Sequence, residues 1–286
     1  ASVTRNLVMS SATRTISGRV VDATTGAGLG GVEMFAGTED EENLDQFTYT
    51  FTDANGNYTL SIPTDPWHWE VGFSANSLSM KGYVLAEDAD GTTAEDFNVW
   101  TKEGNITMGN QPFKKADALL HGRLTDATSG NGLGGFRVDY TDCGTLVTDA
   151  NGDYAVGILS GQAGWIGGDN DDFQPKGYFE PSGANFTAAA NQALRKDLTA
   201  TPFTAYLIGR VVDDQGDPVK VMDIEARSGS RRSVVSTDLD GNFKLGVVAG
   251  NWTIGLDPDN AWQQGLMAHQ QSVGTVTAGV NREGLL

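Results

Sequence analysis

The sequence has 286 residues and a formal net charge of −18, because 37 acidic residues outnumber 19 lysines and arginines. A chain this acidic is repelled by phosphate backbones and anionic lipid, which argues against nucleic acid and membrane surfaces as partners. Its length allows one large domain or two to three ordinary ones, and no apolar stretch approaches the roughly 20 residues that cross a bilayer. Cys143 is the single cysteine, so no intrachain disulfide can form.

Three segments of the chain open in the same way, at residues 16–22, 120–126 and 208–213. Each opening is an apolar strand that carries a Gly-Arg pair and runs into a turn rich in glycine or containing proline. The glycines follow no collagen-like period, so they indicate turns between many short strands.

A second shared block follows each opening. It reads Thr-Asp-Ala-Asn-Gly-Asn-Tyr at 52–58, Thr-Asp-Ala-Asn-Gly-Asp-Tyr at 148–154 and Thr-Asp-Leu-Asp-Gly-Asn-Phe at 237–243. Asn-Gly or Asp-Gly between β-rich runs predicts a hairpin, because these residues tolerate positive φ.

A tryptophan follows each of these blocks at a similar interval. Trp69 and Trp165 lie 16 residues after Asp53 and Asp149, and Trp252 lies 14 residues after Asp238. Their recurrence predicts that these three side chains pack in a core or between domains.

The shared order of these marks predicts an all-β chain of three tandem small antiparallel β-sandwich domains of the Ig-like or prealbumin-like type. Short links near Pro112 and Pro202, with little glycine or serine, favour a semi-rigid rod. The predicted boundaries are an N-terminal strand-like arm at 1–14 and sandwiches at 15–112, 113–202 and 203–286.

The glycine-containing first strand, the Thr-Asp-x-x-Gly-x-aromatic block and the following aromatic strand resemble the carboxypeptidase regulatory-like family, within the transthyretin-like and Cna B-type group. The resemblance covers nearly the whole chain three times, and it implies small seven-stranded sandwiches appended to peptidases, glycosidases, transporters, adhesins and surface stalks. It also implies an isopeptide bond in many Cna B-type domains. Arg19, Arg123 and Arg210 stand where the lysine of that bond is expected, and arginine stays protonated. We therefore predict no such crosslink.

The ends of the chain suggest two interpretations. Leu7 precedes Gly18 by the same interval that Leu198 precedes Gly209, so residues 3–9 resemble the last strand of a preceding repeat. The chain is then either a slice of a longer array or a subunit whose N-terminal arm completes the third domain of a neighbouring copy. The second interpretation predicts an open head-to-tail fibre.

No pattern of catalytic residues emerges. The three histidines, His68, His121 and His269, fall at unrelated positions of the repeat, and no nucleophile elbow, zinc-protease motif or phosphate-binding loop occurs. The sequence therefore predicts that the protein is not an enzyme and requires no cofactor.

Calcium is the one candidate ion, because the Thr-Asp blocks place side-chain oxygens at alternate positions. The candidate ligands are Asp53, Asn55 and Asn57, then Asp149, Asn151 and Asp153, then Asp238, Asp240 and Asn242, together with Asp169, Asp171 and Asp172 of a separate acidic cluster. Glycine stands at the fourth rather than the sixth position of each block, so these are not EF-hands. Side chains that cap their own turn account for the same residues.

Three tryptophans do not recur and are candidate sugar platforms: Trp67, Trp100 and Trp262. Sugar-binding sites stack a ring face on an exposed aromatic, and Trp262 has carboxylates and amides nearby.

The leading interpretation is a non-catalytic, secreted or cell-surface array, of structural or adhesion type, that spaces or presents partners. One alternative is a carbohydrate-binding array appended to a secreted enzyme. The other is a head-to-tail fibre subunit, whose partners are copies of itself joined through the N-terminal arm.

Overall fold

The computed structural model describes residues 11–38, 46–64, 68–85, 96–101, 104–141, 144–229, 231–263, 265, 267 and 270–285. Strands dominate these residues, and the few helices are short. The strands form six sheets, which pair into three successive sandwiches, each with its own hydrophobic core. The predicted class, all-β with three tandem sandwiches, is confirmed.

The first sandwich has one sheet in the order β4-β1-β8-β6 and a second in the order β3-β2-β5-β7. Its elements are β1 (Arg14–Asp22), β2 (Glu33–Gly37), β3 (Phe47–Phe51), β4 (Asn57–Ile62), β5 (His68–Phe73), α1 (Ala75–Ser79), β6 (Tyr83–Leu85), β7 (Asp96–Trp100) and β8 (Ile106–Lys115). Period-2 alternation puts every second side chain inside, as in β4, where Tyr58, Leu60 and Ile62 are buried.

The second sandwich repeats this plan, with sheets β12-β9-β17-β14 and β11-β10-β13-β15. Its elements are β9 (Ala118–Asp126), β10 (Arg137–Tyr140), β11 (Gly144–Val147), β12 (Asp153–Ile158), β13 (Ala163–Gly168), α2 (Asn170–Phe173), a 3-10 turn (Gln174–Lys176), β14 (Tyr178–Phe179), β15 (Ala184–Thr187), β16 (Ala193–Arg195) and β17 (Leu198–Pro202).

The third sandwich has sheets β21-β18-β24 and β20-β19-β22-β23. Its elements are β18 (Ala205–Arg210), β19 (Asp223–Ser228), β20 (Arg231–Ser236), β21 (Asn242–Val247), β22 (Gly250–Leu256), α3 (Pro258–Gln263), β23 (Gln270–Val276) and β24 (Arg282–Leu285).

Each sandwich closes by pairing its first strand with its last. These pairs are parallel (β1 with β8, β9 with β16 and β17, β18 with β24), whereas the other strand pairs are antiparallel. A parallel pair needs a crossover connection. Here the chain makes that crossover by building the opposite sheet between its first and last strands.

The Thr-Asp blocks form corner turns rather than the hairpins predicted from the sequence. The turn at 53–57 closes with the Asp53 N–H donating to the Asn57 carbonyl at 2.8 Å, yet the flanking strands β3 and β4 belong to opposite sheets. The turns at 149–153 and 238–242 do the same. Gly56 has φ +83°, and a Cβ there would lie 2.2 Å from the Val20 carbonyl oxygen. Asn-Gly therefore signalled the tight turn correctly, but the strands on its two sides diverge.

The predicted boundary after residue 112 falls inside a strand. β8 continues to Lys115, and Phe113, fully buried, belongs to the core of the first sandwich. The proline at 112 suggested a link, but it lies within β8, opposite Val21 of β1. β8 thus extends three residues beyond the predicted boundary, and the domain boundaries themselves stay a prediction. Arg14, placed in the arm, likewise begins β1.

Trp165 does not take the position of Trp69 and Trp252. Those two side chains are 1% exposed and lie in cores, whereas Trp165 is 39% exposed. The strand register shows why: Val71 pairs with Ala36, and its counterpart Ile166 pairs with Tyr140. Trp165 is therefore one residue out of phase, which turns its side chain to the outer face. Of the two positions predicted for Trp165, in a core or between domains, the core position was wrong.

Gly164 holds the inner position in the second sandwich instead. A Cβ on Gly164 would lie 2.4 Å from the ring of Phe186, which fills the space that Trp69 takes in the first sandwich. The outward-turned Trp165 ring covers Gly167 and Gly183.

The closing strand pair differs between the second and third sandwiches within the described residues. β24 pairs with Leu207 and Gly209, as β16 does with residues 119–121. In the second sandwich β17 continues this pairing along residues 124–126. Within the described residues of the third sandwich, no strand takes the place of β17.

Candidate functional surfaces

The carboxylates of the corner turns are occupied by their own backbone. Asp53 Oδ1 accepts the N–H groups of Asn55 and Asn57 at 2.8 and 2.9 Å, and the Asn57 side chain also donates to it. These hydrogen bonds, led by that of the Asn57 side chain, lower the pKa of Asp53. The arrangement satisfies the turn with no further ligand.

The other two corner turns have the same geometry. Asp149 accepts from the N–H groups of Asn151 and Asp153, and Asp238 accepts from those of Asp240 and Asn242. Calcium binding at these turns stays a prediction.

The first-strand arginines have a shared structural role. Arg19 Nε donates to the Asn55 carbonyl oxygen at 2.8 Å, and Arg123 and Arg210 make the same bond to Asn151 and Asp240. Each arginine therefore ties the first strand to the corner turn of its own sandwich.

The acidic cluster at 169–172 also uses its oxygens locally. Asp169 caps α2 by accepting the Asp171 N–H at 3.0 Å. Asp172 accepts the Arg137 N–H and forms an ion pair with Lys176 at 2.8 Å. Among the residues that the structure describes, no group of three or more His, Cys, Asp or Glu side chains is placed to hold a metal.

The candidate sugar platforms are dispersed. Trp67 and the side chain of Trp100 lie outside what the structure describes, and the backbone of Trp100 pairs with His68. Trp262, on α3, is 80% exposed. Two of its polar neighbours, Asp257 and Asn260, have partners: the Asn260 N–H donates to Asp257, and the Asn260 side chain accepts the Asp223 N–H.

An exposed row of aromatic rings on the first sandwich was missed by the sequence analysis. Phe47, Tyr49 and Phe51 alternate along β3 and are 65%, 61% and 56% exposed. Consecutive rings lie 6.5 and 6.4 Å apart, and Phe35 of β2 stacks on Phe47 at 5.7 Å. We call Phe47, Tyr49 and Phe51 the aromatic stripe. Three aromatics at alternate positions immediately before Thr52 were the available signal.

The aromatic stripe lies on an edge strand that has covered counterparts. β3, β11 and β20 each form the edge of the second sheet of their sandwich. Helix α1 of the first sandwich contacts β11 of the second. Residues 170–174 of the second sandwich contact β20 of the third in the same way.

The joint between the second and third sandwiches is hydrogen-bonded. Gln174 Nε2 donates to the Ser233 hydroxyl and to the Val234 carbonyl oxygen, both at 3.0 Å. Asn170 adds a longer bond of 3.5 Å to the same carbonyl oxygen. An edge strand leaves backbone N–H and carbonyl groups without a strand partner. The side-chain amides of Gln174 and Asn170 bind one of these groups on β20, the Val234 carbonyl.

The same joint has an aromatic part. Phe179 of β14 meets Phe203 of the link edge-on at 4.8 Å and stacks on Trp252 of the third sandwich at 6.2 Å. The Phe203 N–H also donates to the Gly177 carbonyl at 2.8 Å. The link between these sandwiches is therefore held by packing and hydrogen bonds on both sides.

A cavity of about 290 Å³ opens on the third sandwich. Its lining includes Val211, Val219, Phe243, Ile254 and the exposed Met267. Val211 is the counterpart of Leu124, which pairs with Leu198 of β17 in the second sandwich. The cavity thus lies where the third sandwich has no described counterpart of β17.

Comparison with known proteins leaves the family open. No protein-family model matches the chain. No curated protein matches it either. Membership of the carboxypeptidase regulatory-like family stays a prediction.

Among solved structures, the chain is similar to the Streptococcal ancillary pilin, at 12% identity and a TM-score of 0.31, with 95% of this chain and 99% of that one covered. It is similar to the shaft pilin SpaA from Lactobacillus rhamnosus GG at 11% identity and a TM-score of 0.27, covering 66% of this chain and 97% of that one. It is also similar to the Bacillus anthracis TIE protein at 14% identity and a TM-score of 0.30, covering 96% of this chain. The chain spans about half of the TIE protein, 50% of its length. TM-scores this low carry no argument about function.

Proposed function

We propose that the chain is a structural segment of an extracellular assembly, a stiff row of three sandwiches that holds attached partners at a fixed separation. The observation that carries this proposal is the joint between the second and third sandwiches. Gln174 and Phe179 bind across it, so the connection is not a free hinge. At roughly 30 Å per domain, such a row spans on the order of 90 Å.

The proposed units follow the observed strands. We place the boundaries after Lys115, where β8 ends, and after Pro202, where β17 ends. The Ala116 N–H donates to the Gly82 carbonyl at 2.7 Å, and the Asp117 N–H donates to the Ile158 carbonyl at 3.2 Å. The first link is thereby bonded to the sandwich on either side.

We propose that the chain has no catalytic role of its own. His68 and His121 lie on β5 and β9, in different sandwiches, so they do not form one centre. The shifted pKa values of Asp22, Asp53, Asp126 and Asp238 have a structural origin, because hydrogen bonds within turns are their leading cause. These features support a scaffold.

A secreted or cell-surface location is part of the proposal. A net charge of −18 favours solubility and repulsion from anionic surfaces. Within the described part of the chain, no helix has the length and apolar character needed to span a bilayer.

Rigidity is the property to measure first. Small-angle X-ray scattering, with pairs of spin labels on the second and third sandwiches, should give a single extended shape and one narrow distance distribution. The double variant Gln174→Ala, Phe179→Ser should broaden that distribution while leaving the circular dichroism spectrum unchanged. Leu239→Ser, which changes a 71% exposed residue of the third corner turn, is the matched control.

A broad distribution in the unchanged protein would contradict the proposal, because the sandwiches would then move as beads on a string. An unchanged distribution in the double variant would show that the joint does not set the geometry.

Sugar binding is a second candidate, favoured by the 80% exposure of Trp262. A glycan array probed with the full chain tests it, with Trp262→Ala as the variant that should lose the signal. Retained binding in Trp262→Ala, or no binding at all, would remove Trp262 as a sugar platform.

A further inference from the structure

We infer that copies of this chain join head to tail, with Trp262 of one copy packed on the aromatic stripe of the next. The inference extends the proposed rod and rests on it. It uses a second copy of this chain as the partner, because the contact would repeat a joint that the chain already makes internally.

The first half of the argument is the position of Trp262. Each sandwich has a buried residue near the end of its short helix: Leu78, Phe173 and Ala261 are 2%, 0% and 0% exposed. The residue after Phe173 is Gln174, which binds the third sandwich. The residue after Ala261 is Trp262. Trp262 is therefore the counterpart of Gln174, the residue through which the second sandwich binds the third.

The second half is the position of the aromatic stripe. Val234 and Tyr49 each stand three residues before the threonine of a corner turn, so they are counterparts in the third and first sandwiches. The strand pairing agrees, because Val234 lies opposite Glu225 and Tyr49 lies opposite the corresponding residue, Phe35. Gln174 binds the carbonyl of Val234. Tyr49 is therefore the residue that a helix from a preceding sandwich would meet on β3.

The two ends match in chemistry as well as in position. The internal joint pairs a polar Gln174 with the hydroxyl of Ser233. On the third and first sandwiches the counterpart positions carry Trp262, 80% exposed, and the aromatic stripe, whose rings are more than half exposed. Exposed apolar patches of this kind mark contact sites, and aromatic anchors dominate the energetics of interfaces.

Such a contact uses a different surface on each partner, so each copy keeps one of the two surfaces available for a further copy. A heterologous contact of this kind extends into an open chain of copies unless it closes into a ring.

Two variants each remove one of the two contact surfaces, Trp262 or the aromatic stripe. Trp262→Ala removes the anchor at one end. The pair Tyr49→Thr, Phe51→Ser changes the other end to the residue types that Thr145 and Ser236 provide at the same positions, which the sandwich fold already accepts. Leu239→Ser is the control, because Leu239 is an exposed apolar side chain that belongs to neither surface.

The experiment is sedimentation velocity on the full chain from about 10 µM to about 1 mM, the weak end of specific association. The unchanged protein and Leu239→Ser should form a concentration-dependent ladder of species. Each end variant alone should be monomeric, with its association constant lowered at least about tenfold. An equimolar mixture of the two end variants should form a dimer and nothing larger, because each molecule then has one intact end.

A monomeric unchanged protein at the highest concentration would overturn the inference. So would a ladder that survives either variant, or a mixture that stays monomeric. Scattering from the monomeric variants measures the length of the single rod, so failure of the inference and failure of the proposed function can be told apart.

Discussion

The Oγ1 atom of Thr52 lies 2.6 Å from the carbonyl oxygen of Leu29 and accepts the N–H of Val32 at 2.9 Å. Thr52 is 5% exposed, so both bonds are shielded from water. One hydroxyl thus satisfies two backbone groups of the segment that leads from β1 to β2. Because an unpaired buried group costs more than a single bond contributes, the threonine is hard to replace.

We expect Thr52→Val to lower the free energy of unfolding by about 1–3 kcal/mol, the cost of leaving buried backbone groups unpaired. Valine keeps the shape of the side chain, so the loss reports the hydroxyl. The matched control is Thr59→Val, on the exposed face of β4, which should change stability by less than about 0.5 kcal/mol. Equal effects in the two variants, measured by urea unfolding, would show that the hydroxyl of Thr52 contributes nothing.

The tryptophans of the first two sandwiches should differ in how much they contribute to the free energy of unfolding. Trp69 is 1% exposed and Trp165 is 39% exposed. We expect Trp69→Ala to cost about 3–5 kcal/mol, the range for truncating a large core side chain, and Trp165→Ala to cost much less. Thermal unfolding followed by circular dichroism measures both. A larger loss in Trp165→Ala would mean that the outer face of β13 is covered in the native assembly.

Trp69 and Trp165 also show how far the sequence predicts the structure. The recurrent blocks predict the all-β class and the three sandwiches correctly, because glycine turns and alternating apolar residues are local signals. Trp165 was misplaced because the connection from β12 to β13 is one residue shorter than that from β4 to β5, and a one-residue shift turns a strand over. Spacing counted from the turn does not reveal that shift.

The surfaces of the protein depend more on tertiary packing than its fold class does. The aromatic stripe was visible as alternating aromatics on a strand, but its exposure depends on which neighbour covers β3, which is a tertiary property. The corner turns illustrate the same limit. Asn55-Gly56 predicts a tight turn, whereas the pairing of β3 and β4 with different sheets depends on packing over the whole sandwich.

Acid should destabilise the protein through Asp22. Its carboxylate accepts the Thr25 N–H at 2.8 Å and the Tyr83 hydroxyl at 2.9 Å, and these bonds, that of Thr25 first, lower its pKa. A lowered pKa means that the folded state prefers the charged carboxylate, so this stabilisation is present above about pH 4 and is lost as the pH falls further. Asp126 has the same arrangement with Ser129 and Tyr178.

Asp22→Asn should therefore reduce stability at pH 7 and have a smaller effect as the pH falls below about 4, because the stabilisation from the charged carboxylate is then progressively lost in the wild-type protein. Tyr83 has a raised pKa because its hydroxyl donates to Asp22, so the same contact should also weaken above about pH 10. Denaturant midpoints for the two proteins at several pH values check this. A difference in denaturant midpoint between the two proteins that stays constant from pH 7 to pH 2.5 would show that the charge of Asp22 does not contribute to stability.

Calcium should leave the stability of the protein unchanged if the corner turns are capped by their own backbone. Asp53 already accepts two N–H groups and one amide, and Asp238 accepts from the same two positions of its own turn. A site filled at 100 times its Kd would add about 2.7 kcal/mol and raise the melting temperature by several degrees. We expect a shift of less than about 1 °C between chelator and excess calcium, a change too small for such a site. A larger rise that disappears in Asp53→Asn or Asp238→Asn would locate calcium at the turns, and one that disappears only in Asp171→Asn would locate it at the cluster beside α2.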